Sequence, residues 1–227
     1  MKTLFVTSSG TGIGKTLVTA ALCHQLRQAG TRVRALKPVI SGFDADTQAE
    51  SDTAIILDSL GLPLTPETVE PVSPWRFAAP LSPDMAAERE GRALDFDAIV
   101  RFCREAATGP EEVLLIEGVG GVMVPLTEQE TVLDWMAAVA APAAVVVGSY
   151  LGTISHTLTA VAVARARGIA IAGIVISESE ESPVPVAETQ ATIQRFVPDL
   201  PILAVPRLSG PRPWTDAPDL TSLLAGE

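Results

Sequence analysis

The stretch that most limits how this chain can fold is Thr7-Ser8-Ser9-Gly10-Thr11-Gly12-Ile13-Gly14-Lys15-Thr16. A short apolar run, Leu4-Phe5-Val6, precedes it, and an amphipathic segment from Leu17 to Gln28 follows. Strand, glycine-rich turn, Gly-Lys-Thr and helix, in that order, make a phosphate cradle. Backbone N–H groups wrap an anion only where small residues let the chain come close, and the helix N-terminus adds partial positive charge. Lys15 then reaches terminal phosphates, and Thr16 offers a hydroxyl to Mg²⁺. The general pattern asks for Gly six residues before the lysine, where Ser9 stands; glycines sit at 10, 12 and 14 instead. The plain alternative is a glycine turn between strand and helix, with Lys15 in solvent.

Beyond this stretch, apolar runs alternate with helical patterns. Strands are expected at 4–7, 32–39, 113–116, 143–147, 169–176 and 202–205. Helices are expected near 14–29, 52–60, 83–91, 96–107, 132–141, 155–167 and 186–196. Pro38 ends the second strand, which leaves Lys37 at its carboxyl tip. The alternation predicts an α/β fold: a doubly wound, mostly parallel sheet with helices on both faces. Residues 1–227 read as a single domain. The segment 62–83 carries six prolines and is expected as an ordered loop, neither helix nor central strand. Residues 44–51 read as a polar loop, and 206–227 as an irregular tail with only a short helical hint at 220–224.

Charge narrows the function classes. The net charge is −11, the pI about 4.6, and no basic stripe is visible, so nucleic acid and anionic membranes are unsuitable partners. Lys2, Lys15 and Lys37 are the only lysines. An acidic chain that binds a polyanion needs such cations locally placed. Cys23 and Cys103 are too far apart in sequence and too few for a zinc site or a disulfide framework. They read as buried thiols of a reducing, cytoplasmic compartment. Strand and cradle begin at once, so no signal peptide is expected.

In sheets of this kind, ligands bind beyond the carboxyl ends of the strands. The polar oddities gather there: 7–14, 37–42, 117–121, 148–155 and 177–178. Glu117 ends an apolar strand, where an acidic residue can hold Mg²⁺ or cap the next turn. Gly118, Gly120 and Gly121 allow close backbone approach. Asp52 heads a helix and is either a second metal carboxylate or an N-cap. Lys37 is either a cation for a transferring phosphoryl group or a solvated strand-end lysine.

Several stretches taken together resemble the dethiobiotin synthetase family. They are Thr11 with Gly14-Lys15-Thr16, Lys37-Pro38-Val39 with Ser41-Gly42, and Ser51-Asp52. Pro80-x-Ser82-Pro83, Glu90-Gly91-Arg92, Glu117-Gly118-x-Gly120-Gly121, Pro125-Leu126 and Leu151-Gly152-Thr153-Ile154-Ser155-His156 continue the match. The resemblance implies a P-loop NTPase-like fold and a biotin-pathway ligase. Such an enzyme closes a cyclic urea on 7,8-diaminopelargonic acid with CO₂ or bicarbonate, a nucleoside triphosphate such as ATP, and Mg²⁺. It implies Lys15, Lys37 and Thr11 at the reacting groups, with Mg²⁺ held by Thr16, Asp52 and Glu117. It assigns nucleotide contacts to Gly12, Ile13, Gly14, Lys15, Thr16, Leu17, Asp52, Glu117, Gly118, Val119 and Gly120. On the base side these extend to Ser177, Pro206, Arg207 and Leu208. Ser41 and the Gly152, Thr153, Ile154, Ser155 run would take the substrate, and a homodimer is implied.

The chain departs from that family at several points. Ser8 and Gly12 replace a Gly and a Glu, Ser177-Glu178 replaces an Asn-Asp pair that reads adenine, and Thr189 replaces a Tyr near the substrate tail. Relaxed base choice is the expectation, because a serine lacks the paired donor and acceptor of the amide. A cobyrinic-acid-type amide synthetase would usually carry a glutaminase domain, for which there is no length. A partition or septum-positioning ATPase would carry a second lysine where Gly10 stands.

Overall fold

The computed structural model describes residues 1–44, 46 and 48–225. The chain opens with β1 (Lys2–Ser8), α1 (Lys15–Gln28), β2 (Val33–Leu36) and β3 (Val39–Ser41). Next come α2 (Asp52–Ser59), α3 (Pro66–Val69), β4 (Trp75–Phe77), α4 (Pro83–Arg89) and α5 (Phe96–Ala106). The second half holds β5 (Val113–Glu117), α6 (Val132–Val139), β6 (Ala143–Val147), α7 (Thr153–Ala166), β7 (Ile171–Ser177), α8 (Val186–Phe196) and β8 (Ile202–Val205).

Six strands form one sheet in the order β2-β5-β1-β6-β7-β8, and every pairing is parallel. β5 and β6 are buried along their whole length, as strands covered on both faces must be. On one face α1 packs Val18, Leu22 and Leu26 against Leu4, Val6 and Leu115. On the other face Phe5, Ile116 and Val132 surround Trp135, whose ring meets Phe5 edge-on at 4.9 Å. Neighbouring strands end together, so the loops after β1, β2 and β5 share one edge.

The expected fold class is the observed one, with local differences. The strand expected at 32–39 is broken at Lys37-Pro38. Proline cannot donate to a ladder, so β2 stops at Leu36 and Val39–Ser41 pairs instead with β4 in a separate two-stranded sheet. The 62–83 segment is not all loop. Pro66 sits in the first turn of α3, where its missing N–H costs nothing, and β4 supplies the edge partner for β3. α7 begins two residues earlier than expected, at Thr153.

The tail is less irregular than its composition implies. Short 3₁₀ turns at Pro213–Asp216 and Thr221–Leu224 bury Trp214, Leu220 and Leu223 against the α1 face of the core. Gln25 of α1 donates to the Pro218 carbonyl at 2.8 Å and accepts from the Leu220 N–H at 3.0 Å. Residues 226–227 of the expected tail, and 45 and 47 of the expected polar loop, lie outside the described residues. Both cysteines are free and buried, and burial pushes both thiols up to about 12. Among the described residues, no helix is long and apolar enough to cross a membrane.

Candidate nucleotide and metal site

β1 delivers the chain into the 8–14 turn, and the turn enters α1 through Gly14. Gly14 adopts φ 100°, and no side chain caps the helix, so the first N–H groups of α1 have no side-chain partner. A Cβ on Gly14 would lie 2.5 Å from Ser177 Oγ. The loop after β5 lies directly on this turn: a Cβ on Gly121 would stand 3.1 Å from the backbone of Gly10. The Val122 N–H donates to the Ser8 carbonyl at 3.0 Å.

Lys15 is 6% exposed. Its ammonium donates to the Gly120 carbonyl at 2.8 Å and to Ser8 Oγ at 3.1 Å. Burial lowers its pKa to about 8; the charge of Lys37 adds to the shift, and Glu117 and Asp52 oppose it. Lys15 is therefore not the solvated lysine of a plain turn.

Lys37 is 2% exposed, so the solvated strand-end alternative fails. The break at Pro38 turns its side chain back across the end of β5. Its Nζ lies 2.8 Å from Glu117 Oε1 and 3.0 Å from Asp52 Oδ2, and it donates to the Gly118 carbonyl at 2.9 Å. Burial works against the ammonium, but the two carboxylates outweigh it and hold its pKa above the ordinary lysine range. Lys37 in turn pulls the Asp52 carboxyl below its ordinary value, against desolvation and with help from the Thr16 hydroxyl.

Asp52 is not the N-cap. Ser51 is: its Oγ accepts from the Ala54 N–H at 3.2 Å, which leaves Asp52 free to face Lys37. Glu117 does not cap a turn either. Fully buried, it accepts from Thr16 Oγ1 at 2.9 Å and from Lys37 through the same Oε1, while Oε2 is buried without a partner. Among the described residues, no group of three His, Cys, Asp or Glu side chains could by itself hold a metal.

These groups open on a cavity of about 250 Å³ lined by Thr11, Gly12, Ile13, Gly14, Lys15, Thr16, Lys37, Ser41, Asp52, Val119 and Gly120. A second cavity, about 350 Å³, shares Gly12, Ile13 and Gly14 and adds Leu17, Ser177, Pro206, Arg207 and Leu208. Glu178 Oε2 accepts from the Arg207 N–H at 2.9 Å and ties β7 to the chain after β8. Gly152, Thr153, Ile154 and Ser155 are elsewhere. They line a third cavity of about 730 Å³, mostly apolar, with Leu151, Leu158, Val184 and the buried Thr189. It shares no lining residue with the other two, so Ser41 and the 152–155 run do not meet within one chain.

Sequence reasoning passed over Ser8, a fully buried partner of Lys15, and Ile40 in the first cavity. It also passed over Tyr150, whose hydroxyl lies 2.9 Å from His156 Nδ1 beside the third cavity. Only Ser8 carried a signal, as a departure inside the turn.

A family model described as an AAA domain matches residues 2–210. The ATP-dependent dethiobiotin synthetase BioD of Methylobacterium nodulans is 48% identical, over 92% of this chain and 95% of its own. The protein of the same name in Caulobacter vibrioides is 46% identical over 99% of both chains. Among solved structures, a ParA family ATPase from Chlorobium tepidum matches with TM-score 0.57 at 15% identity, covering 100% of this chain and 90% of that one, a likeness of fold. Relatives that share nearly half their residues along almost the full length of both chains decide the matter: this protein belongs to the AAA-domain family and, within it, to the dethiobiotin synthetases.

Proposed function

We propose that this protein is an ATP-dependent dethiobiotin synthetase, closing a cyclic urea on 7,8-diaminopelargonic acid with CO₂. The observation that carries the reading is the pair of buried ammonium groups, Lys15 and Lys37, set beside Asp52 and Glu117. The reaction brings together two anions, a carbamate and a triphosphate. Cations held in a desolvated site offset that repulsion without reorganising as the reaction proceeds.

One substrate amine adds to CO₂ and loses a proton, giving the carbamate. A carbamate oxygen attacks the γ-phosphorus, the bond to the β-phosphate oxygen breaks, and the nucleoside diphosphate leaves. The second amine attacks the carbonyl carbon of the resulting carbamic–phosphoric anhydride. Phosphate leaves with the C–O bond, a proton is lost, and the ring closes. Lys15 and the free N–H groups of α1 hold the β- and γ-phosphates, backed by Gly12, Ile13, Gly14 and Gly120. Lys37 lies between carbamate and γ-phosphate, and Thr11 and Ser41 line the reacting end.

The residues fit a divalent cation. Thr16 and Asp52 line the first cavity, and Glu117, bonded to the Thr16 hydroxyl through Oε1, keeps Oε2 as a buried oxygen without a partner. With so few protein ligands, the shell would be completed by phosphate and water, as Mg²⁺ prefers. Mg²⁺ bound with the nucleotide draws charge from the phosphate oxygens; Thr16, Asp52 and Glu117 are the residues that would hold it.

The base would lie in the second cavity, against Leu17, Ser177 and the 206–208 backbone. The Gly152–Ser155 run would receive the carboxylate tail of the diamine across a homodimer interface. A Leu151 that is 87% exposed beside that cavity supports a partner there. The chain acts as one domain, in the cytoplasm. Diaminopelargonate, labelled bicarbonate, Mg²⁺ and ATP should yield labelled dethiobiotin. Nucleotide hydrolysis with no label in a cyclic product would overturn the reading in favour of a switch ATPase.

A further inference from the structure

Asp52 and Glu117 reach the site from different elements, the start of α2 and the end of β5, and Lys37 is what joins them. Its ammonium spends all its donors there, on the two carboxylates and the Gly118 carbonyl. These carboxylates, with the Thr16 hydroxyl, are the oxygens that the proposed function gives to a divalent cation. Lys37 takes one oxygen of each carboxylate, Glu117 Oε1 and Asp52 Oδ2. A divalent ion held by their other oxygens would stand a few ångströms from the ammonium, and in a buried space that repulsion is strong. We propose that Lys37 is a stand-in cation: without nucleotide its ammonium occupies the carboxylate pair, and nucleotide arriving with its metal displaces it onto the reacting anions.

Charge balance sets the order of events. Lys15, Lys37 and Asp52 line the cavity and Glu117 lies buried beneath Lys37, so the four charges cancel. A divalent ion alone would leave two uncompensated positive charges beside Lys37. A divalent ion with a triphosphate leaves the cavity negative, which draws the released ammonium inward. Lys37 already lines the same 250 Å³ cavity as Thr11 and Ser41, so the released ammonium stays in the space proposed for the reacting anions. The metal is thereby denied to the protein until nucleotide is present. This inference rests on the function proposed above.

With only three lysines in the chain, selective ¹⁵N/¹³C-lysine labelling isolates the Lys37 side chain in the intact protein. Mg²⁺ alone should leave its resonance in place, and Mg²⁺ with a non-hydrolysable ATP analogue should shift it. In the nucleotide-free protein, Lys37→Gln should bind Mn²⁺ at least about tenfold tighter than wild type, read by electron paramagnetic resonance. Lys15→Gln, which also removes one positive charge, should gain less. A Lys37 signal unmoved by Mg²⁺ and analogue, or a folded Lys37→Gln no tighter for Mn²⁺, overturns the exchange. If Lys37→Gln does not fold, the wild-type resonance decides alone. Wild-type protein that makes dethiobiotin with a static Lys37 sinks the exchange only. A moving Lys37 in protein that makes no dethiobiotin sinks the functional reading only.

Discussion

Thr16 and Lys37 donate to the same oxygen of Glu117, Oε1, at 2.9 and 2.8 Å, and leave Oε2 buried with no partner. One carboxylate oxygen thus joins the start of α1 to the second lysine. That shared oxygen makes Glu117 the residue whose loss separates the two.

Glu117→Gln removes the charge that holds Lys37 and keeps the shape. Ring closure should fall about 10²- to 10³-fold in kcat, with a smaller rise in KM for ATP, because the lost charge matters most in the transition state. Lys37→Ala should lose a similar factor. Steady-state dethiobiotin formation checks both, and unchanged ring closure in Lys37→Ala would remove the second cation from the mechanism.

The depressed pKa of Lys15 gives nucleotide binding a defined pH dependence. Its ammonium, held down to about 8 by burial and by Lys37, is lost as pH rises through that value. Phosphate favours the charged form, so binding takes up a proton above pH 8. Affinity measured by titration calorimetry should be nearly constant from pH 7 to 8. Above that it should drop by up to about tenfold per pH unit. For stability the sign is opposite. Between about 8 and the ordinary 10.5 the unfolded chain holds more of this proton, so the contribution of Lys15 to stability grows with pH. Lys15→Ala should abolish the slope along with most of the binding.

Gly14→Ala places a side chain on a residue at φ 100° and drives its Cβ to within 2.5 Å of Ser177 Oγ. The expected cost is about 1–3 kcal/mol of stability, from a strained backbone at the helix entrance. Nucleotide affinity should fall at least about tenfold, since the α1 N–H groups are re-aimed. Chemical denaturation and calorimetry separate the two effects.

With the base in the second cavity as proposed, Ser177 would offer it a hydroxyl, which donates or accepts as required. A site without a fixed donor–acceptor pair does not separate amino from oxo bases strongly. Turnover with ATP, CTP and GTP should agree within about tenfold, and a strong ATP preference would sink this expectation.

Trp214→Ala should destabilise the fold by about 3–5 kcal/mol, as large-to-small changes in cores do. The indole is 5% exposed and packs into the core on the α1 face. Because the tail lies behind α1, away from the lysine pair, kcat at permissive temperature should be little changed. Thermal melts and assays at low temperature check this.

Most of the framework could be read along the chain, because it rests on short-range rules. Apolar runs four to seven residues long, separated by helical periodicity, can be covered only as a parallel sheet with helices on both faces. A glycine-rich turn ending in Gly-Lys-Thr has one common use at the end of a strand. The misreadings have equally local causes. Proline density hid α3 and β4, since Pro66 is harmless at a helix start and β4 exists only as the edge partner of β3. Proline and glycine also hid the first turn of the tail, Pro213–Asp216; the hint at 220–224 holds as the second, and Trp214, Leu220 and Leu223 gain meaning only against α1.

The sequence alone supplied the phosphate cradle, the α/β class and the few cations available to an acidic chain. It could not say which alternative each charged residue takes. Along the chain alone, a helix cap for Asp52, a turn cap for Glu117 and solvent for Lys37 are all open. Each choice depends on a partner brought close by the fold, Lys37 with Asp52 15 residues on and Glu117 with Lys37 and Thr16 80 and 101 residues back. Only the strand order settles them. β1 lies between β5 and β6, with β2 outside β5, and this brings Thr16, Lys37, Asp52 and Glu117 to one sheet edge. Burial there makes an unpaired charge too costly, so the four groups are held to one another.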